Sequence, residues 1–170
     1  LWQKLRRTRA PYAAENCRYP VYLVEAGLPS PCLFGPVRPA IYLPPAVVAS
    51  PERLRHVLAH ETAHARHLDP LWSLLRSVCL AVYWFDPLVW IAAAVSKADG
   101  ELACDEAVLR ALGPACKKPY ALALLDMAQR QAKPSPLCSS FAKSCAEERV
   151  RAILRFRRLP VWTGALTAVL

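Results

Sequence analysis

The sequence has no C-x-x-C pair, no unbroken apolar stretch long enough to cross a bilayer, and only four histidines among 170 residues. Each shortage narrows the reading. Seven cysteines are an odd number, so they cannot all pair within one chain. Reduced, mostly buried thiols in a reducing compartment account for them most simply and point to the cytoplasm. No signal peptide, internal repeat or low-complexity tract is visible. Acidic residues are few, 13 against 22 Lys and Arg, and the resulting net charge of +9 invites a nucleic-acid reading. The placement of that charge argues otherwise. Lys4, Arg6, Arg7 and Arg9 open the chain, and Arg149, Arg151, Arg155, Arg157 and Arg158 precede an apolar run over residues 159–170. That run falls short of the roughly 20 residues a membrane-crossing helix needs. It reads as the start of a truncated transmembrane helix, with Leu1 and Trp2 as the tail of an earlier one. Basic residues beside both put the intervening domain on the cytoplasmic side.

The remaining pattern predicts an α+β fold, mainly helical, with a small N-terminal sheet. Residues 1–10 read as a basic, helical juxtamembrane linker ended by Pro11, residues 11–158 as the domain, and 159–170 as the truncated helix. Residues 21–24 (Val-Tyr-Leu-Val) and 40–43 (Ala-Ile-Tyr-Leu) are short, apolar and bounded by Pro or Gly, as strands are. Residues 29–36 have room for one more strand. Pro36, Pro39 and Pro44 suit an edge strand, since Pro cannot donate to a ladder. Ser50-Pro51, Asp69-Pro70 and Asp86-Pro87 each place a capping oxygen before a Pro at the first helical position, predicting helices over 51–67, 70–84 and 87–111. Two more are expected, from Pro119 to about 133 and from a capping box at Ser144 to about 154, with a loop at 134–136. The strongly apolar residues 71–95 are expected as a buried core hairpin. The alternative is a face resting on a membrane surface, anchored by Trp72, Tyr83, Trp84 and Trp90.

Against this frame, residues 60–64 read H-E-x-x-H within a predicted helix. Residues four apart share a helical face, so His60 and His64 can grip one ion while Glu61 stands beside it as a base. A catalytic zinc site needs a third protein ligand. Glu101, Asp105 and Glu106 offer carboxylates on a later helix, and Glu101 and Asp105 share a face there. One of them can bind the metal while the other accepts a hydrogen bond from a ligating imidazole. Cys104 reads as a buried small residue, His56 as packing or support, and His67 as exposed at a helix end.

These residues resemble the BlaR/MecR-type membrane metallopeptidases. The likeness extends over about residues 20–110. It includes Pro31-Cys32-Leu33-Phe34-Gly35, residues 38–44 (Arg-Pro-Ala-Ile-Tyr-Leu-Pro), the H-E-x-x-H stretch with Arg66 and Asp69, residues 83–90 (Tyr-Trp-Phe-Asp-Pro-Leu-Val-Trp) and residues 101–108 (Glu-Leu-Ala-Cys-Asp-Glu-Ala-Val). The resemblance implies a gluzincin domain held between transmembrane helices at a bacterial inner membrane, facing the cytoplasm. It implies His60, His64 and Glu101 as ligands of Zn2+, Glu61 as the base, and Asp105 as the supporting carboxylate. Asp86, Thr62 and Gly100 depart from the family's usual residues, and none of these removes a ligand.

The expected chemistry is peptide-bond hydrolysis, and the resemblance implies an antirepressor that acts on a transcriptional repressor. Tyr120 and Arg149 are candidate oxyanion donors. The strand Ala40, Ile41, Tyr42 and Leu43 is the candidate for backbone pairing with an extended substrate. Expected partners are that protein or peptide, the membrane and a second copy of the chain, with no direct nucleic-acid contact. A membrane quality-control protease of the other integral-membrane gluzincin type, and a zinc-supported binding module without turnover, are the alternatives.

Overall fold

The computed structural model describes residues 9–14, 17–25, 28–35, 37–131 and 136–157. The expected terminal membrane segments lie outside them. Four strands, β1 (Arg9–Tyr12), β2 (Val21–Val24), β3 (Cys32–Phe34) and β4 (Ala40–Leu43), form one sheet in the order β1-β2-β4-β3. The β2/β4 pair is parallel and the two outer pairs are antiparallel. Six helices follow: α1 (Pro45–Val48), α2 (Pro51–Arg66), α3 (Asp69–Val82), α4 (Pro87–Leu112), α5 (Lys117–Gln131) and α6 (Pro136–Arg155). A short 3-10 turn, Pro114–Cys116, links α4 to α5.

The mainly helical body with a small N-terminal sheet is as the sequence predicts, but three local expectations are corrected. Arg9 and Ala10 do not belong to a helix; they pair with Val24 and Leu23, and Pro11 is tolerated because β1 is an edge. Ala40–Leu43 is not an edge strand either. β2 and β3 flank it, and all four residues are buried. Its prolines, Pro39 and Pro44, stand just outside the strand, so they cap its length without removing a ladder donor. The edge on that side is β3. Gly35 makes the turn back from β3 possible: its φ is +113°, and a Cβ there would sit 2.4 Å from the Arg38 carbonyl oxygen. The third correction concerns Ser144. A capping box needs an extended residue before the helix, whereas α6 already runs from Pro136 through that position.

Two of the three Asp/Ser-Pro starts cap as expected. Ser50 accepts a hydrogen bond from the Arg53 amide, and Asp86 from the Leu88 amide at 2.9 Å. Asp69 does something else. Leu68 adopts a left-handed backbone (φ 58°), α3 begins at Asp69 itself, and the Asp69 carboxylate turns away from the helix terminus.

α2 is the spine of the fold. One side packs on the sheet through Val57, against Val21, Ile41, Leu43 and Val47. A second cluster joins α4, α5 and α6 through Val108, Leu109, Tyr120, Leu124 and Ile153, with Ala59 of α2 packed against it. This sandwiching fixes the angle from which α4 and α6 reach the H-E-x-x-H face.

The apolar hairpin formed by α3 and the first half of α4 is not core. No residue of α3 is buried, and Trp84, Phe85 and Leu88 are 68%, 68% and 70% exposed. No helix among the described residues is long and apolar enough to cross a membrane.

Candidate metal centre

The sixteen-residue helix α2 carries His60, Glu61 and His64 in its last two turns. The Nε2 atoms of His60 and His64 approach to 3.0 Å, with the rings edge to face. Glu101, on α4, faces them: Oε2 lies 3.6 Å from His60 Nε2 and Oε1 lies 3.9 Å from His64 Nε2. Donors bound tetrahedrally at about 2.0–2.1 Å from zinc stand roughly 3.3 Å apart. The three side chains therefore meet the size of one tetrahedral ion.

What fixes the imidazoles lies behind them. His64 Nδ1 is hydrogen-bonded to Asp69 Oδ2. His60 Nδ1 lies 3.3 Å from Asp105 Oδ1 and 2.9 Å from the Tyr120 hydroxyl. With His64 Nδ1 held by Asp69, and His60 Nδ1 by the Tyr120 hydroxyl with Asp105 close by, the Nε2 lone pairs point at the shared position. The two carboxylates come from opposite ends of the apolar hairpin, one from the start of α3 and one from the middle of α4.

Asp105 is the hub. Only 3% of its side chain is exposed, and it accepts from Arg149 Nε at 2.7 Å, Arg149 Nη2 at 2.8 Å and Tyr120 Oη at 2.5 Å. Arg149 reaches from α6 and spends its remaining nitrogen, Nη1, on Glu101 Oε2 at 2.8 Å. One guanidinium thus ties both carboxylates of the Glu101-x-x-x-Asp105 face.

The electrostatics follow from this wiring. Burial would raise the Asp105 pKa, but the Arg149 and His60 contacts overcome it and hold it at about 2. Glu101 is likewise held at about 2, against the effect of burial, by His60 and Arg149. Burial disfavours a charged His60, yet Asp105, Glu101 and Glu61 raise its pKa to about 9 in the ion-free chain. Glu61 is the exception among the carboxylates. It is buried, and that burial raises its pKa even though His60 and His64 pull the other way. A carboxylate in that condition is a better proton acceptor than one in water. The Cys32 thiol on β3 is pushed up to about 11, by burial and then by the charge of Glu61.

The structure thus brings His60, Glu61, His64, Glu101 and Asp105 to one place. It does not bring Glu106, which points outward and pairs with Arg110 at 2.6 Å. Ala40–Leu43 is sealed inside the sheet and offers no free backbone edge. Tyr120 is 1% exposed behind His60, which removes it as an oxyanion donor. His56 packs its ring edge against Tyr120, and Cys104 is fully buried behind His64 with Sγ 3.5 Å from Asp69 Oδ2. The functional residue that sequence reasoning misread is Asp69. Its Asp-Pro pair looked like a helix cap, but a histidine five residues earlier competes for the same carboxylate. His64, Asp69 and Cys104 also cluster closely enough to form a ligand group, but two of them stand on the far side of the His64 ring from Glu101.

The family model described as BlaR1 peptidase M56 matches residues 8–153. The regulatory protein BlaR1 of Bacillus licheniformis is 31% identical over 123 residues, 72% of this chain and 20% of that protein. The methicillin resistance mecR1 proteins of Staphylococcus aureus (strain Mu50 / ATCC 700699) and Staphylococcus epidermidis are each 29% identical over 90 residues, 52% of this chain and 15% of theirs. The chain spans a fifth or less of the length of these relatives. All described residues up to 153 fall within the family match, and the chain belongs to the BlaR1 peptidase M56 family.

Proposed function

We propose that this chain is a zinc-dependent metalloendopeptidase domain of the gluzincin kind, in which His60, His64 and Glu101 hold Zn2+ and Glu61 is the base. The observation that carries this reading is the pair of imidazoles. Their Nε2 atoms converge to 3.0 Å while His64 Nδ1 is held by Asp69 and His60 Nδ1 by the Tyr120 hydroxyl with Asp105 close by, an arrangement with no use in a solvated helix face. A zinc ion held there supplies a Lewis acid that polarises a peptide carbonyl and acidifies water.

The chain's own groups do the rest. Glu61 takes the proton from the attacking water and passes it to the departing amine nitrogen, and its burial keeps it basic enough for both transfers. Asp105 and Asp69 hold the two rings in the tautomer that leaves Nε2 free. Arg149 balances the carboxylate charge, with one Glu101 oxygen in its grip. An extended substrate pairs with the free edge of β3, Cys32–Phe34, which takes over the role first expected of β4. β3 packs against α2, the helix that carries Glu61, and its outer side is a free edge of the sheet.

By the names of its relatives, regulatory protein and methicillin resistance protein, the domain serves a signalling chain. We read it as an antirepressor protease on the cytoplasmic side of a bacterial inner membrane, cutting a transcriptional repressor. Elemental analysis of the purified chain should give one zinc per molecule, and a candidate repressor should be cleaved. Glu61→Gln should keep the zinc and lose cleavage. A Glu61→Gln variant that cleaves at the parent's rate sinks the mechanism, and a zinc-free parent that cleaves sinks the metal assignment.

A further inference from the structure

From the hairpin of α3 and the first half of α4 we infer that it inserts into one leaflet of a lipid bilayer and holds the metal centre at the membrane surface. Three observations select lipid over a protein groove. The first is how the apolar surface is distributed. On α4, Leu88, Trp90, Ile91 and Val95 are all more than half exposed. With Ala92 they extend about 200° around the helix at 100° per residue. A protein partner covers one face of such a hairpin, whereas acyl chains cover it all round.

The second observation is the tip. Backbone polar groups at depth in a bilayer must be satisfied internally. The Trp84 carbonyl accepts from the Trp90 indole at 2.9 Å, the Asp86 amide donates to the Tyr83 carbonyl at 3.0 Å, and the Asp86 carboxylate accepts from the Leu88 amide. A turn exposed to water has no need of a tryptophan to close its own carbonyl.

Third, charge sets the depth. Between residues 71 and 95 the only charged groups are Arg76 and Asp86, and Asp86 is the cap just described. Arg76 meets Ser96 across the hairpin at 3.3 Å, and Lys97 follows, so the two cations stand at one level. From Lys97 to Pro87 the helix rises about 15 Å, half of a hydrocarbon core of roughly 30 Å. Arg76 and Lys97 therefore sit among anionic headgroups when the tip reaches mid-bilayer. Glu101, one turn beyond Lys97, then lies about 6 Å outside that level. A polypeptide cut at this centre is cut beside the membrane.

This inference deepens the membrane-facing part of the proposed function and does not depend on hydrolysis. The test uses the full chain with vesicles of phosphatidylcholine and phosphatidylglycerol, carrying a nitroxide either deep in the acyl chain or at the headgroup. Trp84 fluorescence is read as the difference between the parent and Trp84→Phe, and Trp72 by the same subtraction with Trp72→Phe. The deep label should quench Trp84 roughly threefold more than the headgroup label does, and the order should reverse for Trp72. Glu61→Gln should insert like the parent, so a failed protease still tests insertion. Trp84 left unquenched by the deep label on vesicle-bound chain overturns the proposal. So does a lipid-free dimer in which Trp84 is already shielded from acrylamide, which would assign the hairpin to a second copy.

Discussion

Replacing Asp105 by Asn tests whether the hub behind His60 is what holds the site together. The side chain keeps its size, so the change is electrostatic. In the parent the carboxylate sits at a pKa of about 2, against an ordinary 3.8. At 1.36 kcal/mol per unit, that depression corresponds to about 2 kcal/mol of stability at neutral pH, with little solvent screening at 3% exposure. The Asn amide also cannot accept both Arg149 nitrogens, and one stranded partner in a buried pair raises the expected cost toward about 3 kcal/mol. The sign of the pH dependence is fixed. A group whose pKa is depressed on folding contributes stability above its unfolded value and loses it as pH falls through the folded one. The metal-free parent should therefore lose roughly 2 kcal/mol from this group between about pH 4 and pH 2, and Asp105→Asn should lack that component.

Urea unfolding of the metal-free chain across that pH range reads the difference, and zinc titration at neutral pH reads its consequence. With His60 no longer held by a carboxylate, zinc should bind about 10- to 100-fold more weakly. Stability within about 0.5 kcal/mol of the parent, with an unchanged acid limb, would refute the reasoning. So would unaltered zinc affinity, because it would mean that His60 is oriented by something other than Asp105.

Asp69→Ala should weaken zinc about 10-fold or more by freeing the His64 ring, with near-parent unfolding in the metal-free form at pH 7. If Asp69 were only a helix cap, stability would fall and zinc affinity would not. Gly100→Ala should stabilise the chain by about 0.5–1 kcal/mol, since Gly100 lies inside α4 and an added Cβ meets nothing within 4 Å. Thermal unfolding checks this, and a loss of stability would show that the glycine serves a contact. Gly35→Ala should destabilise by more than about 1 kcal/mol, because its positive φ and the Arg38 carbonyl leave no room for a side chain. An unchanged denaturation midpoint would refute that turn geometry.

Sequence resolved the parts of this protein that are local in the chain. His60, Glu61 and His64 lie on one helix, as do Glu101 and Asp105, so helical periodicity alone places each group on a face. What it could not place were residues whose role depends on a distant neighbour. Arg149 reads from the sequence as a candidate oxyanion donor, whereas it joins Asp105 from 44 residues away and ties it to Glu101, a role its own segment does not announce. Ala40–Leu43 was misread for a related reason. Flanking prolines speak for an edge, but whether a strand is covered on both sides is decided by β2 and β3, not by its own four residues.

The hairpin shows the same limit in its sharpest form. A run such as residues 71–95 has one composition whether it is destined for a protein core or for lipid, because both environments reward removal of apolar surface from water. The difference lies in what packs against it. In this fold the two helices that could have covered the hairpin, α5 and α6, are already committed to Val108 and Leu109, further along α4. The domain therefore spends its core on fixing the second half of α4, where Glu101 and Asp105 are mounted. The first half is left for another solvent. Because α4 is one continuous helix, the carboxylates that complete the metal centre and the outward-facing Trp90 are set by a single rigid element. A change that bends α4 near Gly100 should disturb both together.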